Sequence, residues 1–313
     1  MYMTARNIGA QPFIRWQGAK NQYLHILSQA LPADFPSPPD VTYIEPFVGG
    51  GAMLFHMLQT YPNIQRVVIN DNNLDLMRAY NTVRDRAAEL ASELKRIERE
   101  FLPLNEEGRR GYFEAARKEF GERLADGIRH AALFIFLNKT SVGGQGQRFH
   151  VSRRYDICDE RTLMADAWLL KDVTILCDDF EKTYNEACGN TFFFIDPPCK
   201  SGSNSPEWDS REQVRLKKFC DLLNFRHFDW MLIDSDCHNK RMSNNGVEQL
   251  YSNYDIQRIW SQQAIKATPE KREKQQPELL VRNFQREILS LRSLKCTQLS
   301  LAFWFILGYG IYR

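Results

Sequence analysis

The chain has 313 residues, 43% hydrophobic and 12% aromatic, with a formal net charge of +2. That is enough apolar side chain for a sizeable core, and more length than one average domain needs. The near-balanced charge excludes a chain that attracts polyanions through its overall charge, so any such surface has to be a local patch.

The seven cysteines contain no C-x-x-C pair and no zinc-type spacing, which fits buried thiols in a reducing cytoplasm and not a disulfide framework. The N-terminus carries no basic-then-apolar signal segment.

In chain order, Phe13–Lys20 (FIRWQGAK) sets Trp16, Gly18 and Lys20 ahead of a helix predicted over Gln22–Leu31, which Pro32 ends. Trp16 and Lys20 suit a packed loop, and equally a cover over a flat ligand that carries a carboxylate. Val41–Ile44 is an apolar strand, followed by Glu45, the turn Gly49-Gly50-Gly51 and an apolar helix. In an open α/β sheet this layout places a ligand beyond the strand's carboxyl end, where glycines admit close backbone approach. A tight strand-to-helix turn with no ligand fits the same residues. A second strand, Arg66–Asn70, leads into Asp71, twenty positions after Gly51, the distance at which an acid holds ribose hydroxyls. A dinucleotide is disfavoured: the G-x-G-x-x-G spacing from Gly49 fails at Leu54, and Glu45 repels phosphate while suiting an ammonium or sulfonium.

Helical patterns follow over Leu74–Ile97, Gly111–Phe120 and Ala125–Leu137, with charged residues on solvated faces, and read as an inserted helical block. Asn138–Tyr155 (NKTSVGGQGQRFHVSRRY) has three glycines, no acid, and the bases Lys139, Arg148, Arg153 and Arg154 among aromatics. Such a loop suits a hairpin against a nucleic-acid backbone, and equally a solvated surface loop. Apolar runs then resume at Val173–Cys177, Thr191–Ile195 and Met231–Ile233, each ending in acidic residues, as in a parallel sheet buried on both faces. Ile256–Trp260 and Glu278–Arg282 pair as a closing hairpin around the basic loop KATPEKREKQQP. The uncharged run Thr297–Tyr312 is shorter than the ~20 residues that span a bilayer, so a packed terminal element is expected and no membrane partner.

Asp196-Pro197-Pro198 closes the strand TFFFI. Two prolines stiffen the backbone and remove two donors, which leaves the Asp196 and Pro197 carbonyls free beside a carboxylate. Acceptors that converge on one point suit an NH2 group: bonds to both hydrogens aim its lone pair at an electrophilic methyl. A plain strand-ending turn is the alternative.

With these residues in view, the chain resembles the Dam-type DNA adenine methyltransferases, which include modification enzymes of GATC-specific restriction systems. FIRWQGAK, YIEPFVGGG, INDNNLDL, YFEAARKEF, ALFIFLNK, ILCDDF, FFFIDPP, IDSDCH and ELLVRNF match in the family's order over roughly residues 12 to 284. The resemblance implies an α/β fold: a doubly wound, Rossmann-like sheet with an inserted helical DNA-recognition domain carrying the basic loop. Its division would be 1–74 and 165–284 for the catalytic domain, 75–164 for the recognition domain, and 285–313 as an atypical apolar tail. It implies S-adenosylmethionine as methyl donor, with no metal. Glu45, Phe47, Gly49 and Gly51 would form its turn and Asp71 would hold its ribose. Trp16 and Lys20 would close over it, and Asp179 would reach its adenine. Asp196, Pro197, Pro198 and Cys199 would receive an adenine flipped out of double-stranded DNA. Asn138, Lys139, Arg148, Arg153 and Arg154 would meet DNA. A cytoplasmic, nucleoid-associated setting follows, with a cognate restriction endonuclease or a phage or mobile-element context.

Four departures qualify that picture. Cys199 stands where the family has an aromatic that stacks on the flipped base, a contact worth about 1–3 kcal/mol. Trp208 is a candidate substitute. Ala19 replaces a glycine, the recognition loop is short, and residues 285–313 match nothing in the family. A DNA-binding protein that has lost turnover, and a cytosine amino-methyltransferase, therefore stand as alternatives.

Overall fold

The computed structural model describes residues 8–123, 127–198, 208–235, 246–260 and 277–284. The apolar runs form strands, because β-branched and aromatic residues fill a layer covered on both faces. These are β1 Val41–Glu45, β2 Ile64–Asn70, β3 Thr174–Leu176, β4 Thr191–Ile195, β5 Asp229–Ser235, β6 Asp255–Ile259 and β7 Glu278–Arg282. The sheet order is β3-β2-β1-β4-β5-β7-β6. β1 to β5 run parallel, and β7 lies antiparallel between β5 and β6. The predicted closing hairpin is thus present, with its second strand inserted inward of its first.

Successive strand residues face opposite ways, and the two faces pack two cores. Tyr43, Val67, Phe192 and Phe194 join one; Ile44, Val68, Phe193 and Ile195 join the other. The first core holds α1 (Leu24–Ala30), α2 (Ala52–Thr60) and α3 (Leu74–Phe101) through Leu27, Met53 and Tyr80. The second holds α7 (Ser210–Phe225) through Leu216 and Phe219. The result is a doubly wound, Rossmann-like α/β sheet.

Between β2 and β3, α3 is followed by α4 (Glu106–Gly121), α5 (Gly127–Thr140) and α6 (Glu160–Leu170). Asn73, Asn105 and Asp159 cap α3, α4 and α6, each accepting a backbone N–H of the first turn. These helices share the first core without a break. Leu90, Leu94, Ile97 and Phe101 of α3 carry it from the sheet to Phe113 of α4 and Phe136 of α5. The boundaries expected at 74/75 and 164/165 fall within α3 and α6, so neither separates packing units. The helices α6 and α7 have no counterpart in the sequence reading. Each does announce itself by an Asp at its N-cap, Asp159 and Asp209.

Candidate active site

The chain runs outward from β1 to β3 and then returns to β4 beside β1, so the strand order reverses between β1 and β4. At such a switch point the turns beyond adjacent strands diverge and leave a crevice. Here it is a cleft of about 1170 Å³ lined by Trp16, Lys20, Glu45, Phe47, the three glycines, Asp71, Asp196, Pro197 and Pro198. The donor-side and acceptor-side residues expected from sequence therefore share one cavity. Cys199 lies outside the described residues.

The glycine turn is needed twice over. Gly49 and Gly51 have φ of +49° and +76°, a region side chains rarely adopt. A Cβ at Gly49 or Gly50 would also lie 2.6 or 2.8 Å from the Trp16 side chain, and one at Gly51 would lie 2.5 Å from the Tyr80 hydroxyl. Trp16 thus packs directly on the turn, and the Tyr80 hydroxyl donates to the Gly49 carbonyl at 3.0 Å. Asp71 caps the same turn, accepting from Gly49 N (3.2 Å) and Asn73 N (3.0 Å). Burial raises the Asp71 carboxyl above its ordinary range, opposed by those two amides. Asn70, which sequence reading passed over, ties three strand tips together: its Nδ2 donates to the Pro46 and Asp178 carbonyls, and its Oδ1 accepts from Asp178 N.

Lys20 is the centre of charge. It is 3% exposed, and its Nζ lies 2.8 Å from Asp196 Oδ1 while donating to the Gly18 carbonyl at 2.9 Å. Burial raises the Asp196 carboxyl, and the Lys20 ammonium opposes that rise. Glu45, 2% exposed, accepts from the Tyr43 hydroxyl at 2.6 Å. Burial pushes it up to about 8; the Tyr43 bond offsets part of this, and the Asp196 charge adds to it. Asp234, wholly buried and bonded by Gln213 Nε2 at 3.0 Å, is pushed by burial up to about 7. Three acids thus feel one ammonium: Asp196, Asp234 and Glu278.

Of the other expected residues, Asn138 lines the cleft, while Asp179, Trp208 and Lys139 do not. Asp179 does not line the cleft; Arg215 Nη2 holds both its oxygens, at 3.0 and 2.9 Å. Trp208 is 6% exposed and stands edge-on to Phe47 at 5.3 Å, so it buttresses Phe47 from behind and does not offer the cleft a stacking face. The Asn138 amide is engaged within the protein: Oδ1 accepts from Arg15 N, and Nδ2 donates to the Arg15 and Gly144 carbonyls. Lys139 lines a second, smaller pocket with Asp156 and Asp159, where burial lowers its pKa.

The expected hairpin is present in short form. Ser141 and Phe149 form a bridge, and the exposed Arg148, Arg153 and Arg154 follow along the outer arm. None of the three is ion-paired with an acid among the described residues. Among those residues, no group of three or more His, Cys, Asp or Glu is placed to hold a metal, and no helix is long and apolar enough to cross a membrane. Residues 297–312, like 266–276, lie outside the described residues.

A Rossmann-like sheet thus brings a glycine turn, a neighbouring acid and an Asp-Pro-Pro strand tip into one crevice. Residues 16–265 match the model of the D12 class N6 adenine-specific DNA methyltransferases, and the chain belongs to that family of site-specific DNA-modifying enzymes. It is 34% identical to the type II methyltransferase M.MjaIII of Methanocaldococcus jannaschii, over 88% of this chain and 99% of that one. Identity is 23% with the DNA adenine methylase of Haemophilus influenzae, over 84% and 91%. With the DNA N-6-adenine-methyltransferase of Escherichia phage P1 it is 29%, over 59% of this chain and 23% of that one.

Proposed function

We propose that this chain methylates the exocyclic amine of adenine extruded from duplex DNA, with S-adenosylmethionine as donor. The observation that carries the reading is the shared cleft: Glu45, the glycine turn and Asp71 line the same cavity as Asp196 and Pro197.

The donor set fits that cofactor. Glu45 and Asp71 are carboxyls suited to a cationic group and to ribose hydroxyls, the turn beside them has no side chains, and Phe47 offers an apolar wall. When bound, the cofactor supplies an electrophilic methyl. A cation at Glu45 favours loss of the proton that burial otherwise keeps on this carboxyl near neutral pH. A contact from Asp179 to the cofactor's adenine requires its carboxylate to leave Arg215.

On the acceptor side, Lys20 favours the ionised form of Asp196 despite its burial. The Asp196 carboxylate and the rigid Pro197 carbonyl then accept the two amine hydrogens, which keeps electron density on nitrogen and orients its lone pair. The same carboxylate is the nearest acceptor for the proton the amine gives up. The base must leave the duplex, because stacked neighbours block access to the strand tips. Arg148, Arg153 and Arg154 meet phosphates; Asn138 holds the loop that carries them. The four helices between β2 and β3 form the recognition side, and α4 lines the cleft through Glu114, Arg117 and Lys118.

A labelled methyl donor and duplex DNA test this: label is expected in N6-methyladenine after digestion to nucleosides. Label in cytosine, or none at high enzyme concentration, overturns it. The type II and phage names among the relatives support a restriction-modification or phage setting in the cytoplasm.

A second reading, a DNA-binding protein with lost turnover, is favoured by Cys199 at the stacking position and by the placement of Trp208 behind Phe47. Cys199→Tyr decides between them: a large gain in methylation over an inactive wild type supports the second reading, and wild-type turnover that the substitution leaves unchanged removes it.

A further inference from the structure

The loop at the cleft mouth has a feature that neither catalysis nor phosphate contact uses. Gly143, Gly144 and Gly146 all have positive φ, of +66°, +74° and +69°. The turn they form is fixed from inside. Ser141 Oγ accepts from Gly146 N at 2.7 Å, and Asn138 Nδ2 donates to the Gly144 carbonyl at 2.6 Å. A Cβ at Gly144 would lie 2.7 Å from the Arg15 carbonyl oxygen. The outer ends are joined by Val142 N to the Arg148 carbonyl and His150 N to the Thr140 carbonyl, both 2.8 Å.

This braced backbone presents two exposed amides, Gln145 and Gln147, on the cleft wall. Gln145 Nε2 donates to Gln17 Oε1 at 2.9 Å, across to the segment that also supplies Trp16 and Lys20. Gln17 is likewise exposed and lines the cleft, three residues before the lysine bound to Asp196. The loop's arginines Arg148, Arg153 and Arg154 do not line the cleft. Within the loop the two kinds of side chain are separated: guanidiniums outside the cleft, and amides on its wall, which Arg15 and, from α4, Arg117 also line.

We infer that Gln145, Gln147 and Gln17 read base edges next to the target adenine, and that they favour A·T pairs there. This rests on the DNA-methylation reading and goes beyond it. A glutamine end carries one acceptor and one donor side by side, the complement of adenine N7 and N6 in the major groove, whereas guanine is read by arginine or lysine. The Gln145–Gln17 bond is between exposed amides, so exchanging it for base contacts costs little. The rigid turn lowers the ordering cost of binding.

The test compares wild type with Gln145→Ala, Gln147→Ala, Gln17→Ala and Gln145→Glu. N6-methyladenine is mapped on plasmids with randomised flanks. In parallel, each protein selects duplexes from a random pool in the presence of S-adenosylhomocysteine, which reports preference without turnover. The alanine variants are expected to keep their thermal midpoint and S-adenosylhomocysteine affinity. They should lose discrimination at positions beside the target by roughly ten- to a hundredfold. Gln145→Glu should move preference towards C, whose N4 donates to a carboxylate. Unchanged profiles in all variants, or a wild type with no preference in either assay, overturn the inference. A wild type that selects sequences, is altered by these substitutions and never methylates supports the inference while removing the enzymatic reading.

Discussion

The strand tips of β1 and β4 and the loop at 141–155, whose residues 143–147 line the same cleft, are built by opposite means. At the tips the working groups are buried or half-buried and tied together: Lys20 to Asp196, Tyr43 to Glu45, Gly49 to Asp71. On the loop the backbone is held by Asn138 and Ser141, while Gln145, Gln147, Arg148, Arg153 and Arg154 reach solvent. On the proposed function, the difference follows from the partner each side awaits. A methyl transfer needs charges oriented before the reactants arrive, and burial with bonded neighbours supplies that. A duplex presents its own charges and edges, so the reading side keeps side chains accessible on a stiff frame.

Substitutions that break this contrast should act on different observables. Asp196→Asn, which removes the charged acceptor but keeps its shape, should lower single-turnover methylation by roughly a hundred- to a thousandfold. Duplex binding at the outer arm should be nearly unchanged, and equal losses of both would erase the distinction between the walls. Lys20→Met leaves a carboxylate largely enclosed without its cation; loss of one member of a buried pair costs about 3 kcal/mol or more. Its thermal midpoint should fall, and Asp196 should titrate at higher pH, displacing the pH–rate profile upward.

Gly51→Ala combines a φ of +76° with a Cβ 2.5 Å from the Tyr80 hydroxyl. A loss of about 1–3 kcal/mol in denaturant unfolding is expected, against a gain of about 0.5–1 kcal/mol for Gly111→Ala, inside α4, where a Cβ meets nothing within 4 Å and alanine is the better helix former.

The buried acids give the cofactor-free protein a pH dependence. Glu45 titrates at 4.5 when free and at about 8 in the fold. Between those values the folded chain holds a proton the unfolded chain has lost, so stability is full below pH 4.5 and declines as pH rises through about 8. Asp166, raised by burial to about 8, and Asp234, to about 7, act in the same direction. Melting temperatures should fall from pH 5 to pH 9, and Glu45→Gln should flatten the decline. Smallest is the effect of Arg148→Ala or Arg153→Ala. Each should weaken duplex binding similarly across sequences and reduce the salt slope by about 0.9 per lost phosphate contact.

Much of the sheet was legible because strand formation is local. TFFFI and VTYIE declare buried strands by composition, and the polar residues that end them mark the tips. The helices α6 and α7 were not read from sequence, since charged residues on their exposed faces interrupt the apolar pattern. α4 begins at Glu106, ahead of the predicted Gly111, because Asn105 caps it.

By itself, then, the amino-acid sequence determined which segments are strands and where their tips carry acids and glycines. Those are properties of neighbouring residues and their periodicity. Only the tertiary structure decided that Lys20 closes on Asp196, that Trp16 lies on Gly49 and Gly50, that Trp208 stands behind Phe47, and that the Asn138 amide is spent on Arg15 and Gly144. All but the Asn138–Gly144 bond join residues far apart in the chain, and a pairing of that kind is set by how the layers pack, leaving no local pattern to read.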